Sequence, residues 1–174
     1  MKAILFLFSL LFVGTPANAD EGSTLTLDLG KNVTAKVSQR PFDGAQVRIE
    51  QCRDGAGICR INGGTPFGIS SGLPRTVLAK LTVTVGGRTY ELDTSNMYDA
   101  WGKRQQEARQ VSQFLAAACY DQANCVVRGL FSEGAHAYVA EWAIVDGKAS
   151  RTMLTGSNDV VELFDRKLAP PAFE

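Results

Sequence analysis

The chain has 174 residues, of which 45% are hydrophobic and 21% are charged, and its 18 basic side chains are balanced by 18 acidic ones. A chain of this length fits a single domain that buries about two-thirds of its unfolded surface, without needing a metal to hold it together. A net charge of zero provides no general attraction to polyanions, so nucleic acid is excluded as an expected partner.

The N-terminus has the three parts of an export signal. A positive charge at Lys2 is followed by an apolar run from Ala3 to Val13, and small residues up to Ala19 match the cleavage site of a signal peptidase. The run is too short to span about 30 Å of hydrocarbon, which takes about 20 residues. We therefore predict a signal peptide over residues 1–19 and a single domain over 20–174. The mature chain is expected to be periplasmic or secreted, with no membrane insertion.

The four cysteines form two close pairs along the chain, Cys52 with Cys59 and Cys119 with Cys125. An even count in an exported chain predicts disulfides, and the turn-forming stretch between Cys52 and Cys59 favours pairing within one hairpin. Four cysteines allow three pairings, of which we expect the local one. Neither spacing matches the gap of about two to four residues in thiolate zinc sites, and no Cys-x-x-Cys redox motif is present.

The first half of the mature chain alternates apolar and polar residues, which is the pattern of half-buried strands. Residues 24–29 and 33–37 predict a first hairpin, and residues 47–52 lead into a second one that the first cysteine pair closes. Residues 76–85 and 88–92 flank two glycines and predict a third hairpin with a two-residue turn.

The period changes in the middle of the chain, where apolar residues recur at spacings of three, four or seven, as on one face of a helix. We therefore predict a helix that is broken or begins at Gly102 and ends near Cys119. The second cysteine pair would then tie the end of this helix to the following strand. The apolar positions are Met97, Trp101, Ala108, Val111, Leu115 and Ala118.

After Cys125 the alternating pattern returns and continues to Thr155, which predicts a three-stranded meander. One face of its second strand is expected to hold Tyr138, Ala140, Trp142 and Ile144. A short closing helix follows, with a capping box formed by Asp159 and Glu162. The predicted fold class is α+β, mostly antiparallel β-sheet built from hairpins, with one middle helix and a short C-terminal helix.

Residues 68–72 match the Gly-x-Ser-x-Gly pattern of a nucleophilic serine, with Ser70 at its centre. A triad would need Asp93 or Asp99 together with His136, the only histidine of the chain. Prolines flank the pattern, however, and the strand–turn–helix context that exposes such a serine is missing. An alternative is a carboxylate pair drawn from Asp93, Asp99, Glu133 and Glu141. One histidine excludes two-histidine metal sites, and we predict neither a metal nor a cofactor.

The most informative segment is the irregular, glycine-rich stretch from Asn62 to Arg75. Long irregular loops are uncommon in compact domains and tend to be functional. Its apolar side chains either fold back into the core or project towards a partner, with arginines such as Arg53 and Arg60 as a polar rim. The candidate binding residues are Phe67, Ile69, Leu73 and Arg75.

These features favour an exported, non-enzymatic binding protein that acts on another protein or on a component of the cell envelope, as small inhibitors and immunity proteins do. Such a protein needs only a rigid scaffold and a presented loop, whereas an enzyme needs converging titratable groups. Two alternatives stay open. One is a small envelope hydrolase that uses Ser70 with His136 or a carboxylate pair, and the other is a secretion or assembly accessory that pairs a sheet edge with a client strand.

Overall fold

The computed structural model describes residues 23–53, 55, 57–101 and 114–172. Within these ranges it contains ten β-strands, two 3-10 turns at Gly44–Gln46 and Gly134–His136, and one α-helix, α1 (Asn158–Arg166). The strands are β1 (Thr24–Gly30), β2 (Val33–Pro41), β3 (Ile49–Gln51), β4 (Ile58–Ile61), β5 (Thr76–Val85), β6 (Arg88–Leu92), β7 (Leu115–Cys119), β8 (Cys125–Phe131), β9 (Tyr138–Val145) and β10 (Lys148–Thr155).

The strands form two four-stranded antiparallel sheets and a separate two-stranded hairpin. The first sheet has the order β1-β2-β5-β6, the second has the order β10-β9-β8-β7, and β3 pairs with β4 alone. β1 lies against β7 and β6 lies against β10, so the two larger sheets approach each other at both edges. Neighbouring strands in these sheets are consecutive in sequence, with one exception. β5 pairs with β2, although the β3-β4 hairpin lies between them in the chain.

The main hydrophobic core lies between the two four-stranded sheets. Every second residue of β2 points into it, as the buried Val33, Ala35 and Val37 do. From the second sheet, the predicted face of β9 faces the same core, and its Trp142 is fully buried. The indole Nε1 of Trp142 donates a hydrogen bond of 2.9 Å to the carbonyl oxygen of Asp93, so its polar atom is satisfied.

The outer face of the second sheet is covered by α1. Leu130 of β8 and Val139 of β9 pack there against Phe164, the buried residue of the helix. The guanidinium of Arg128 lies 5.0 Å from the centre of the Phe164 ring and forms an ion pair of 2.7 Å with Glu141. The prediction of a short C-terminal helix is therefore confirmed, and this helix closes a second, smaller core.

Both disulfides have the expected local pairing. Cys52–Cys59 closes the β3-β4 hairpin, outside the two larger sheets. Cys119–Cys125 joins directly opposed residues of β7 and β8 within the second sheet. The two disulfides fit an extracellular or periplasmic protein. Among the described residues, no helix is long and apolar enough to cross a membrane.

The prediction of a middle helix is wrong. Met97–Trp101 is a buried, non-helical loop, and Leu115–Cys119 is β7, which pairs with β8 along its whole length. The second disulfide consequently joins two strands and not a helix to a strand. The remainder of the predicted helix, residues 102–113, lies outside the described residues, as does the predicted signal peptide. The fold is thus mostly antiparallel sheet, and its one helix within the described ranges is α1.

The predicted capping box of the C-terminal helix is also absent. The N-cap is Ser157, whose carbonyl oxygen accepts the backbone N–H groups of Val160 and Val161. Glu162 instead pairs with Arg166 one turn further along, at 3.0 Å. The observed N-cap therefore lies two residues before the one that the predicted capping box implies.

Candidate functional site

The glycine-rich loop is fixed to the core at Phe67. The backbone N–H of Phe67 donates to the carbonyl oxygen of Asn96, and its own carbonyl accepts the N–H of Tyr98, at 2.9 and 3.0 Å. The half-buried Phe67 ring lies 6.1 Å from the ring of Tyr138. Phe67 is therefore an anchor of the loop within this molecule, and Ile69 is also partly buried.

The next residue, Gly68, permits this close approach. It has a positive φ of +89°, and a Cβ atom at this position would overlap the carbonyl oxygen of Tyr98 and lie 2.6 Å from Cε1 of Tyr138. The Tyr138 hydroxyl donates to the same carbonyl at 3.1 Å. Burial raises the pKa of Tyr138 well above its ordinary value of 10, and the nearby Asp99 carboxylate adds to the rise.

The loop continues outward to Leu73, which is 58% exposed. Leu73 forms one side of a groove of about 710 Å³ whose other side is the disulfide-closed hairpin. We call this the apolar groove. Among the described residues, no charged side chain lines it. Its lining residues are Ile49, Gln51, Gly55, Gly57, Ile58, Ser71, Gly72 and Leu73.

Two arginines lie within two residues of the groove lining in sequence. Arg53 lies in the turn of the hairpin and Arg75 follows Leu73 by two residues, and both are exposed. Within the described ranges neither guanidinium has an ion-pair or hydrogen-bond partner. Arg60 differs, because it donates to the carbonyl oxygen of Gly63 at 2.9 Å. In the described part of the chain the groove lining thus carries no charge, and the two arginines that neighbour it in sequence are unpaired.

A second cleft, of about 340 Å³, lies on the other side of the loop tip and is polar. We call this the polar cleft. It brings together the triad candidates Ser70, Asp99 and His136. The remaining lining residues are Gly68, Ser71, Leu73, Arg75, Ser132 and Glu133. Asp99 and Ser132 both have positive φ angles, of +40° and +61°, a conformation that tends to cluster at functional sites.

Asp99 already has a structural role. Its Oδ1 accepts the backbone N–H groups of Arg75 and Thr76, each at 2.9 Å, and the Thr76 hydroxyl at 3.2 Å. Among the described residues, no hydrogen bond links Ser70, Asp99 and His136 to one another. The carboxylate therefore holds the C-terminal end of the glycine-rich loop, as Phe67 holds its middle.

The other two acidic candidates lie away from the polar cleft. Glu141 pairs with Arg128 on the outer face of the second sheet. Asp93 forms an ion pair of 3.0 Å with Arg151 and accepts the N–H of Ser95. Burial opposes ionisation of Asp93, but the hydrogen bonds from Ser95 and the charge of Arg151 outweigh it, so the pKa of Asp93 lies below its ordinary value of 3.8.

The described part of the chain offers no cluster of metal-ligating side chains. It holds no group of three or more histidine, cysteine, aspartate or glutamate residues that could bind a metal ion. The four cysteines are all in disulfides. The arrangement offers a concave apolar surface, a polar cleft next to it and two unpaired guanidinium groups, which are the elements of a binding surface.

Sequence reasoning missed the hairpin side of the apolar groove. Ile49 and Ile58 belong to a predicted hairpin, but nothing in the sequence indicated that this hairpin stands apart from both sheets and faces Leu73. The first disulfide is no such signal, because the second one closes a hairpin that belongs to a larger sheet. No family model, no curated protein and no solved structure matches the chain.

Proposed function

We propose that the protein is an exported, non-enzymatic binding protein whose apolar groove holds a side chain of another protein. One observation carries this proposal: the exposed Leu73, together with Ile49 and Ile58, lines a concave surface on which no described residue places a charged side chain. Single exposed leucines are common, but a concave apolar surface beside unpaired arginines is typical of interaction sites. The N-terminal segment and the two disulfides support export.

Each side of the apolar groove is tied to the rest of its element by specific bonds, which favours binding. The Cys52–Cys59 disulfide closes the hairpin side. The loop side is held by the backbone bonds of Phe67 and by the three bonds to Asp99 Oδ1. Since ordering a mobile loop on binding opposes association, a loop that is already ordered increases affinity.

The partner that fits this surface carries an apolar side chain and nearby acidic residues. Among the described residues the lining has no charged side chain, while Arg53 and Arg75, within two residues of it in sequence, have unpaired guanidinium groups. Burial of one leucine-sized side chain contributes about 1.5–3 kcal/mol, which alone does not produce a stable complex. The groove is therefore expected to be the centre of a larger interface, of about 1,600 Å² in total.

Photo-crosslinking tests this proposal, with a matched control on α1. Leu163 is 59% exposed, almost the same as Leu73, but lies away from the groove. A benzoylphenylalanine at position 73 should give an adduct in cells of the source organism, and one at position 163 should not. The captured partner should bind Leu163→Ser like the unmodified protein and Leu73→Ser at least about tenfold more weakly. Equal adducts at both positions, or unchanged binding by Leu73→Ser, would refute the proposal.

A second candidate function is a small envelope hydrolase, because Ser70 and His136 line one cleft. In such an enzyme Ser70 Oγ attacks an ester carbonyl while His136 takes its proton, and the proton then goes to the departing alcohol. Water then attacks the acyl-enzyme while His136 takes its proton, and the proton returns to Ser70 Oγ as the acid is released. The binding proposal ranks first because Asp99 Oδ1 is already occupied by three donors.

Strand addition has no comparable support, since the edges of the two larger sheets lie against each other.

The hydrolase candidate is tested with p-nitrophenyl esters and with isolated peptidoglycan. Ser70→Ala and His136→Gln should each remove activity, while Ser71→Ala, next in the same loop, should keep it. An activity that survives both substitutions does not come from this cleft. The carboxylate-pair version makes a different prediction, because only Glu133→Gln or Asp99→Asn would then remove hydrolysis.

A further inference from the structure

We propose that the polar cleft is the second half of the same binding site and receives the carboxylate of an aspartate or glutamate side chain of the partner, next to the apolar side chain in the groove. This inference rests on the proposed function, because it assigns the chemistry of a partner that the apolar groove is proposed to bind. It names a partner segment in which an apolar residue lies one to three positions from an acidic one.

The two concave surfaces adjoin along the loop tip. Ser71 and Leu73 line both the apolar groove and the polar cleft, so the loop tip separates them by no more than its own width. An extended segment advances about 3.3 Å per residue and turns successive side chains to opposite sides. A segment lying across Leu73 therefore presents one side chain to the groove and a neighbouring one to the cleft.

The unengaged polar side chains of the cleft can all donate a hydrogen bond, and Arg75 can only donate. Within the described ranges, the hydroxyls of Ser70 and Ser71, the imidazole of His136 and the guanidinium of Arg75 have no hydrogen-bond partner. A hydroxyl and a guanidinium both donate to a carboxylate, and the planar fork of arginine matches its two oxygens. The unpaired, donor-only guanidinium of Arg75 is therefore the group that favours an anionic acceptor, and the hydroxyls can add hydrogen bonds to it.

The two carboxylates of the cleft each have an interaction partner, and Arg75 is, among the described residues, the one guanidinium that stays unpaired beside them. Asp99 Oδ1 accepts three hydrogen bonds from Arg75 and Thr76, and Glu133 also has an interaction partner. Because the described lining holds one arginine and two carboxylates, it has no excess of positive charge, and recognition depends on directed bonds from Arg75 and not on net charge. We expect the loss of Arg75 to weaken binding of an acidic peptide about threefold to tenfold.

Selection from a displayed library of random 12-residue peptides tests the inference and does not require the identity of the partner. The oxidised protein should enrich peptides with an aliphatic or aromatic residue and, within three positions, an acidic one. Arg75→Gln should keep the apolar preference and lose the acidic one, whereas Leu73→Ser should lose the apolar one. Arg88→Gln, an exposed arginine on β6, is the matched control and should change neither preference.

Synthetic peptides then measure the coupling directly by fluorescence anisotropy. An enriched peptide and its Glu-to-Gln version should differ about threefold to tenfold in affinity for the unmodified protein, and by less than about twofold for Arg75→Gln. Apolar enrichment without an acidic preference, or an acidic preference that Arg75→Gln retains, would overturn the carboxylate subsite and leave the proposed function standing. Enrichment that does not depend on Leu73 would overturn the proposed function itself.

Discussion

Replacement of Gly68 by alanine measures how firmly the loop is fixed to the core. Gly68 has a φ of +89°, and its missing Cβ lets the Tyr98 carbonyl and the Tyr138 ring approach. Gly72 is a matched control in the same loop, because its φ is +92° but no atom lies within 4 Å of the position that a Cβ would occupy. The two substitutions share the conformational strain, and only one of them adds a clash.

The structure sets the expected difference between them. An L-residue in the left-handed region costs about 1–2 kcal/mol, which is the whole expected effect of Gly72→Ala. Overpacking of a filled core adds about 1–3 kcal/mol, and at Gly68 the obstructing atoms are a backbone carbonyl and a fully buried ring. Gly68→Ala should therefore lower the free energy of unfolding by about 2–5 kcal/mol in total.

Urea unfolding followed by tryptophan fluorescence is the appropriate assay. Both tryptophans of the chain, Trp101 and Trp142, are buried in the main core, so their emission reports its exposure. Equal losses of stability in Gly68→Ala and Gly72→Ala would refute the reasoning, because the contacts of Gly68 would then have no energetic consequence. A larger loss in Gly72→Ala would contradict it still more directly.

Three further outcomes follow from the fold. Replacing both cysteines of Cys52–Cys59 with serine should weaken partner binding and change the unfolding of the core little. The same replacement at Cys119–Cys125 should lower the free energy of unfolding by about 2 kcal/mol. Urea titration measures both effects on stability. Glu141→Gln leaves Arg128 half-buried without its ion pair and should lower stability by about 1–2 kcal/mol, whereas an unchanged urea midpoint would contradict this. The pKa of Asp93 is lower in the folded state than in the unfolded state. The ionised carboxylate therefore stabilises the fold fully above its unfolded-state pKa, and this stabilisation is lost as the pH falls through the folded-state pKa. Asp93→Asn should consequently flatten the acid limb of a stability–pH profile.

Local alternation was sufficient to predict the hairpins. The third hairpin, β5 and β6, has the predicted bounds, because two glycines fix the turn and each strand alternates towards a buried face. The same reasoning placed the alternate residues Tyr138, Ala140, Trp142 and Ile144 on one side of β9. A period-two pattern depends only on a few neighbouring residues, so it can be recognised in a single sequence.

The middle helix failed for a non-local reason. Residues 115–119 read Leu-Ala-Ala-Ala-Cys, and alanine favours helix more strongly than any other residue. Their strand conformation comes from pairing with β8, from the Cys119–Cys125 disulfide and from burial of Leu115 against the core. Tertiary pairing of this kind overrides intrinsic propensity and is not visible in the residues themselves.

The candidate site was only half predictable for the same reason. The composition of residues 62–75 identified a loop that lines two concave surfaces. Which of its side chains point outward depends on distant partners: Phe67 is bonded to the segment 96–98, while Leu73 has no such anchor and is exposed. The facing hairpin is brought to Leu73 by the whole fold, so its position could not be read from the loop.

Asp99 distinguishes the binding and catalytic interpretations of the polar cleft. Asp99→Ala removes the acceptor of the Arg75 and Thr76 N–H groups and places alanine at a φ of +40°, so it should lower stability by about 2–4 kcal/mol and weaken partner binding. Asp99→Asn keeps an acceptor oxygen and tolerates this φ, so it should change both by less than about 1 kcal/mol. In a triad, asparagine would instead lower hydrolysis about 10⁴-fold. Measured side by side, intact binding in Asp99→Asn assigns the carboxylate to holding the loop, whereas selective loss of ester hydrolysis assigns it to catalysis.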